Sequence, residues 1–173
     1  MLILVTGGAA SGKSVHAERL LCEAAPRGER LYVAAMQPFG EAAQRRIARH
    51  RELRKGKGFE TAERYTGLAQ FIPPRRFEGI LLECLSNLLA NEMFSPDGAG
   101  EAAAGAVMDG VSALEAHCGT LVAVTNEIFS DGVAYPEETA RYIRALAEVN
   151  RALAGRADAV YESVCGILCQ IKG

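Results

Sequence analysis

Residues 2–14 read LILVTGGAASGKS, a short apolar run followed by a loop dense in glycine and alanine that ends in a lysine and a hydroxyl. No feature of the chain narrows its fold more, because a strand signal that runs through a glycine-dense turn into helical periodicity leaves one local arrangement: strand, loop, helix. Gly7, Gly8, Ala9, Ala10, Ser11, Gly12, Lys13 and Ser14 match G-x-x-x-x-G-K-[ST] in the context that motif requires. Glycines allow backbone conformations that turn successive N–H groups inward, and the following helix adds the positive end of its dipole, so main chain can hold a polyphosphate. Lys13 is then expected to reach the β- and γ-phosphates and the Ser14 hydroxyl to bind Mg²⁺. Such a loop specifies a nucleoside triphosphate and leaves the reaction open.

The opening unit is the first of a series. Ala17, Leu20, Leu21 and Ala24 share a face after Lys13, and Pro26 and Gly28 stop that helix. Short apolar runs at 30–35, 59–62, 79–83 and 121–125 alternate with helical stretches at 41–54, 85–94 and 101–117 and with one that begins at Pro136. The last helix carries a stripe of Thr139, Tyr142, Ile143, Leu146, Val149 and Leu153, and residues 159–161 and 166–171 read as a closing hairpin. KGKG at 55–58, SPDGAG at 95–100 and residues 130–135 are breaks and loops. This alternation predicts an α/β fold: a three-layer, RecA-like P-loop NTPase architecture with a mostly parallel central sheet, helices on both faces and an antiparallel edge. A length of 173 residues suits one domain spanning 1–173.

Charge and apolar content remove other classes. With 49% apolar and 23% charged residues the chain is neither disordered nor fibrous in composition. A formal net charge of -2 argues against a nucleic-acid binder, which needs a basic excess to displace counterions. The first apolar run lacks the basic flank and length of a signal peptide, and no stretch reaches the roughly 20 apolar residues of a membrane span, so cytoplasmic residence is expected. Cys22, Cys84, Cys118, Cys165 and Cys169 form no CxxC pair, and an odd, scattered set reads as reduced thiols buried as small hydrophobes.

Magnesium keeps several waters and takes few protein ligands, usually with a carboxylate among them. Glu83 ends the GILLE run at the edge where a parallel sheet binds ligands and is the first choice; Glu127, just after LVAVT, is the second. Each has a plainer alternative, Glu83 as a helix cap and Glu127 as a brace for its own loop. Residues 45–54, RRIARHRELR, pack five arginines around one histidine. A charged helical run is ordinarily a solvated face, yet Arg46, Arg49 and His50 fall at i, i+3, i+4 spacing on one face that can meet an anion. Neighbouring positive charge would lower the His50 pKa and keep the ring neutral and nucleophilic, while guanidiniums neutralise phosphate oxygens. On spacing alone both readings stay open.

Five stretches in order, MLILVTGGAASGKSVHAE, RIARHR, LLECLSNLLANEMF, VTNEIFSDGVAYPEETAR and VNRALAGRADAVYESVCGILCQIKG, together resemble the bifunctional adenosylcobinamide kinase / adenosylcobinamide-phosphate guanylyltransferase family of cobalamin biosynthesis. The likeness covers nearly the whole chain, and the phosphate loop is its least specific part. It implies a kinase step, in which ATP or GTP gives its γ-phosphoryl group to the aminopropanol hydroxyl of the corrinoid adenosylcobinamide. It also implies a transferase step: a histidine takes GMP from GTP as a phosphoramidate, expels pyrophosphate and passes the GMP to the cobinamide phosphate, giving adenosyl-GDP-cobinamide. By its position in RIARH, His50 is the implied guanylylated residue. Lys13 and Ser14 carry over as phosphate and metal ligands, Glu83 as the Mg²⁺-side carboxylate and Glu127 as a second polar group at that edge. His16 matches a position where relatives carry histidine, with exposed helix surface as the alternative, and His117 reads as structural. A homotrimer with its nucleotide site near a subunit boundary is implied as well.

Three departures from the family pattern bear on nucleotide preference and on the balance of the two rates. Ala10 stands where the loop usually has arginine, Phe59 where a tryptophan usually follows the histidine helix, and SDGVAYP keeps only Gly132 and Pro136 of the usual motif. Two rival readings remain. One is a simple P-loop small-molecule kinase whose His50 and arginines only bind phosphate. The other is a nucleotide-gated switch, which lacks its N-K-x-D motif because Asn126-Glu127 is followed by Ile128.

Overall fold

Period-two alternation within the apolar runs decides the packing, because it gives each inner strand two faces to bury. The computed structural model describes residues 1–129 and 132–173; Ser130 and Asp131 of the expected 130–135 loop lie outside them. Strands are β1 Leu2–Gly7, β2 Arg30–Ala34, β3 Phe59–Glu63, β4 Phe77–Glu83, β5 Cys118–Val124, β6 Ala159–Val164 and β7 Ile167–Lys172. Helices are α1 Lys13–Ala24, α2 Gly40–Arg54, α3 Leu85–Phe94, α4 Ala103–Ala116 and α5 Glu137–Arg156.

All seven strands join one sheet in the order β3-β2-β4-β5-β1-β6-β7. Every pairing is parallel except that of β6 with the edge strand β7. The expected mostly parallel sheet with an antiparallel edge is therefore what the chain forms. Leu2 and Leu4 of β1 pack with Leu88 of α3, Val111 of α4 and Val149 of α5, whereas the alternate Ile3 and Val5 pack with Ala17 and Leu21 of α1. Each fully buried aliphatic side chain of this kind contributes about 1.5–3 kcal/mol, so the two apolar layers hold the fold. No helix among the described residues is long and apolar enough to cross a membrane.

Several boundaries differ from the sequence reading for identifiable reasons. β4 starts at Phe77 and β5 at Cys118, earlier than their apolar runs, because Phe77 pairs with Cys118 and main-chain bonding extends the ladder. The helix expected over 101–117 begins as a 3₁₀ turn at Gly100–Ala102, with no side-chain cap, and becomes α-helical only at Ala103. In α5 the core takes Leu146, Val149 and Leu153, while Thr139, Tyr142 and Ile143 stay half-exposed. Tyr142 instead sends its hydroxyl to Ser86 O at 3.0 Å. The cysteine expectation is corrected in part: all five are free and Cys84 and Cys118 are buried, but Cys22 is half-buried and Cys165 and Cys169 are exposed on the hairpin that forms the edge of the sheet.

Among the described residues of α2 the one buried side chain is a charged one, Arg54. Polar contacts therefore dock this helix on the sheet.

Candidate active site

The loop after β1 has the backbone its glycines predict. Gly7 has φ +153°, and a Cβ there would stand 2.6 Å from both Ser163 O and Ser11 Oγ, so the position excludes any side chain. Gly12, at φ +93°, is the N-cap of α1 and supplies no side-chain cap, which leaves the first-turn N–H groups for an anion. Ala10 also sits in the left-handed region, at φ +57°, where an L-residue bears roughly 1–2 kcal/mol of strain. Lys13 Nζ donates to Gly8 O at 2.9 Å. Burial lowers the Lys13 pKa, and Arg46 lowers it further against the opposing pull of Cys84 and Glu83.

The outer side of this loop is braced by the β6–β7 turn. Ser163 Oγ donates to Ser11 O at 2.6 Å and Gly166 N to the same oxygen at 3.0 Å. His16 Nε2 lies 3.0 Å from Gly166 O, so His16 belongs to the brace. His117, whose Nδ1 meets Ala113 O at 2.8 Å, sits at the start of β5, on the opposite edge of the sheet.

A cleft of about 450 Å³ joins the loop to α2, and Lys13, Ser14, Arg46, Arg49, His50 and Glu83 all line it. That volume lies in the range of roughly 300–1,000 Å³ usual for small-molecule sites. The helical face expected from i, i+3, i+4 spacing is thus the face turned to the phosphate loop. His50 Nδ1 is paired with Glu83 Oε1 and stands 3.3 Å from the Tyr32 hydroxyl. Nε2 is the ring nitrogen left for a ligand.

The electrostatic cause differs from the one read off the sequence. Burial is the largest influence holding His50 down to about 4, followed by Arg54, Arg46, Arg49 and Lys13 in that order. Arg54 was outside the predicted trio, yet its guanidinium lies 3.3 Å from the Tyr32 ring centroid beneath the histidine. Burial pushes Glu83 up to about 8, with Lys13 opposing and Glu18 adding. Burial opposes charge on both partners, and where the one proton between them rests on Nδ1, donated to the Glu83 carboxylate, Nε2 keeps its lone pair. A ¹⁵N NMR titration of ligand-free protein is expected to place the His50 midpoint near 4, so that the ring is neutral at pH 6. A midpoint at the usual 6.5 would contradict this environment. The sign for stability follows: the unfolded chain takes up the proton first, so this histidine's contribution is intact above 6.5 and declines as pH falls toward 4.

Glu83 and Ser14 reach the cleft together, one carboxylate and one hydroxyl. This donor set fits Mg²⁺, which needs few protein oxygens. Glu127 is not among the cleft-lining residues: its Oε1 accepts Phe129 N–H at 2.9 Å and its own N–H donates to Gly7 O at 3.1 Å. Asn126, one residue earlier, lines the cleft in its place. Sequence reasoning passed over Arg54, Tyr32, Asn126 and Ser163. Only Arg54 carried a usable signal, since it stands four residues after His50 on the same helical face.

Comparison with known proteins finds relatives over nearly the whole chain. The sequence model of a family described as "CobU: Cobinamide kinase / cobinamide phosphate guanyltransferase" matches residues 3–171. "Bifunctional adenosylcobalamin biosynthesis protein CobU" of Salmonella typhimurium is 36% identical over 186 residues, covering 99% of this chain and 100% of that protein. Its Escherichia coli namesake is 35% identical with the same coverage. "Bifunctional adenosylcobalamin biosynthesis protein CobP" of Pseudomonas aeruginosa is 30% identical, covering 98% of this chain and 96% of that protein. Among solved structures, flagellar accessory protein FlaH from Methanocaldococcus jannaschii shares the fold, with a TM-score of 0.52 at 15% identity over 99% of this chain and 77% of that one.

Proposed function

The chain belongs to the cobinamide kinase / cobinamide phosphate guanyltransferase family, and on that premise we propose that one domain and one cleft perform both reactions, with His50 carrying GMP between them. A single observation supports the reading most: His50 and the phosphate loop face each other across the same cleft. In the kinase step the loop N–H groups and Lys13 hold the β- and γ-phosphates of ATP or GTP while the corrinoid hydroxyl takes the γ-phosphoryl group. Ser14 and Glu83 are the residues that would hold Mg²⁺, which when bound neutralises charge on the phosphates.

In the transferase step the Nε2 lone pair of neutral His50 bonds to the α-phosphorus of GTP. The bond to the α,β-bridging oxygen breaks and pyrophosphate leaves with its electron pair. Forming the N–P bond would make the ring cationic unless Nδ1 releases its proton. Glu83 in its ionised form, which the Lys13 charge favours, accepts that proton from Nδ1, and burial, by raising its pKa to about 8, makes the carboxylate a stronger base for it. Arg46 and Arg49 neutralise the phosphate oxygens. An oxygen of the cobinamide phosphate then displaces Nε2, and the proton returns to Nδ1.

The test is product analysis. Protein incubated with Mg-GTP and adenosylcobinamide should yield the corrinoid phosphate first and the GDP-corrinoid second by mass spectrometry. Phosphate alone would leave the simple kinase, and nucleotide-dependent partner binding without turnover would favour the switch. We extend the family resemblance to a cytoplasmic homotrimer; Ile167 and Ile171 of the edge strand β7, 68% and 63% exposed, offer apolar surface of the kind an assembly covers.

A further inference from the structure

The order β2-β4-β5-β1 spaces the polar groups of the cleft along the carboxyl edge of the sheet. His50 lies over the ends of β2 and β4, against Tyr32 and Glu83, with Arg46 and Arg49 on the same wall. Asn126 follows β5, between β4 and the strand that feeds the phosphate loop. The lining changes character toward that end. Ile128 lines the cleft, as does Val15 on the first turn of α1, 47% exposed, and Phe129 beside Ile128 is 41% exposed. The α2 wall is cationic, and Val15 and Ile128 add apolar surface to a lining that away from α2 also holds Asn87 and Asn126.

Asn126 is unusually well anchored for a residue at a strand end. Its Nδ2 donates to Ser86 Oγ at 2.5 Å, and Tyr142 holds Ser86 from behind through a 3.0 Å bond to Ser86 O. Asn150 Nδ2 donates to Asn126 O at 3.3 Å, and Thr125 Oγ1 donates to Asn150 Oδ1 at 2.7 Å. The second Nδ2 hydrogen is directed to Cys84 Sγ at 3.8 Å, so both donors are engaged within the protein and the acceptor oxygen, Oδ1, is what Asn126 offers a ligand.

We propose that Asn126 receives the acceptor alcohol. Its Oδ1 takes the hydrogen bond of a neutral hydroxyl borne on a large, partly apolar molecule and turns that hydroxyl toward the γ-phosphorus on the loop. This assignment rests on the two-reaction reading above and divides the cleft between its substrates: the α-phosphate at the arginine pole, the uncharged alcohol at the Asn126 pole. An amide suffices because loose phosphoryl transfer depends on positioning more than on a strong base. The hydroxyl oxygen bonds to the γ-phosphorus as the bond to the β,γ-bridging oxygen breaks. The nucleoside diphosphate departs with that electron pair, and the hydroxyl proton ends on the new phosphate monoester.

Two rates separate this role from a structural one: phosphorylation of adenosylcobinamide, and labelling of the protein by GTP alone, which involves no alcohol. In Asn126→Ala the ratio of the first rate to the second should fall by about 10²-fold, the loss typical of a misplaced reactant. Asn126→Asp, which keeps an acceptor oxygen, should recover part of kcat. Ser86→Ala, which frees the amide, should lower kcat for phosphorylation with little change in KM for nucleotide. A wild type that phosphorylates together with an Asn126→Ala variant that does so equally well, or variants in which both rates fall in parallel, overturns the assignment alone. A wild type that labels its histidine but never phosphorylates the alcohol overturns the two-reaction reading, and this assignment with it.

Discussion

Replacing His50 with alanine is expected to erase the label that GTP radiolabelled on the α-phosphorus leaves on the protein, a loss of at least about 10³-fold, as follows when a covalent nucleophile is removed. The wild-type label should be acid-labile and alkali-stable, as a phosphoramidate is. Phosphorylation of the corrinoid alcohol should fall far less, because Lys13 and the loop remain. The variant also carries a structural signature: His50 and Glu83 are 12% and 7% exposed and are each other's partners, so the alanine leaves a buried carboxyl without its imidazole. A buried group stripped of its partner costs about 1–3 kcal/mol, and the melting temperature should drop by several degrees. Label that persists in His50→Ala would move the nucleophile elsewhere. Wild-type protein that never acquires label would leave His50 and its arginines as mere phosphate ligands, which is the simple kinase.

What the sequence could disclose about this site depended on how local each feature was. The loop was legible because its glycine requirements are met within eight residues, 7–14, and the cationic face of α2 was legible because helical spacing alone aligns Arg46, Arg49 and His50. Neither source could say that α2 lies over β2, since that docking depends on Arg54 meeting Tyr32 and His50 meeting Glu83 across the fold. For the same reason positive charge looked like the chief influence on His50, although burial, invisible without the docked helix, is larger. That Asn126 lines the cleft while the second-choice carboxylate Glu127 does not turns on a single residue of register at the end of β5. That register is set by main-chain bonds from Thr125 to Val5 and from Glu127 to Gly7, and no pattern within VTNE encodes them. The brace from Ser163 to Ser11 spans 152 positions and had no sequence signal at all.

Lys13→Met should disable both reactions together, each by about 10³-fold, equivalent to about 4 kcal/mol of transition-state stabilisation. The argument runs through the shared loop. With no ligand bound, Lys13 donates to Gly8 O, and the phosphates of a nucleotide would draw the ammonium from that carbonyl. Because burial lowers the Lys13 pKa, the folded protein bears a desolvation cost for holding the charge there. A methionine of similar length removes that cost along with the charge, so the melting temperature should stay level or rise while activity disappears. That combination is the reverse of the His50→Ala result, where stability and guanylylation fall together. Calorimetry should show weakened Mg-GTP binding in Lys13→Met and largely retained binding in His50→Ala. If Lys13→Met lost phosphorylation but kept wild-type labelling of His50, the triphosphate that guanylylates the histidine would have to be held outside the loop. The two reactions would then use two nucleotide sites in place of one.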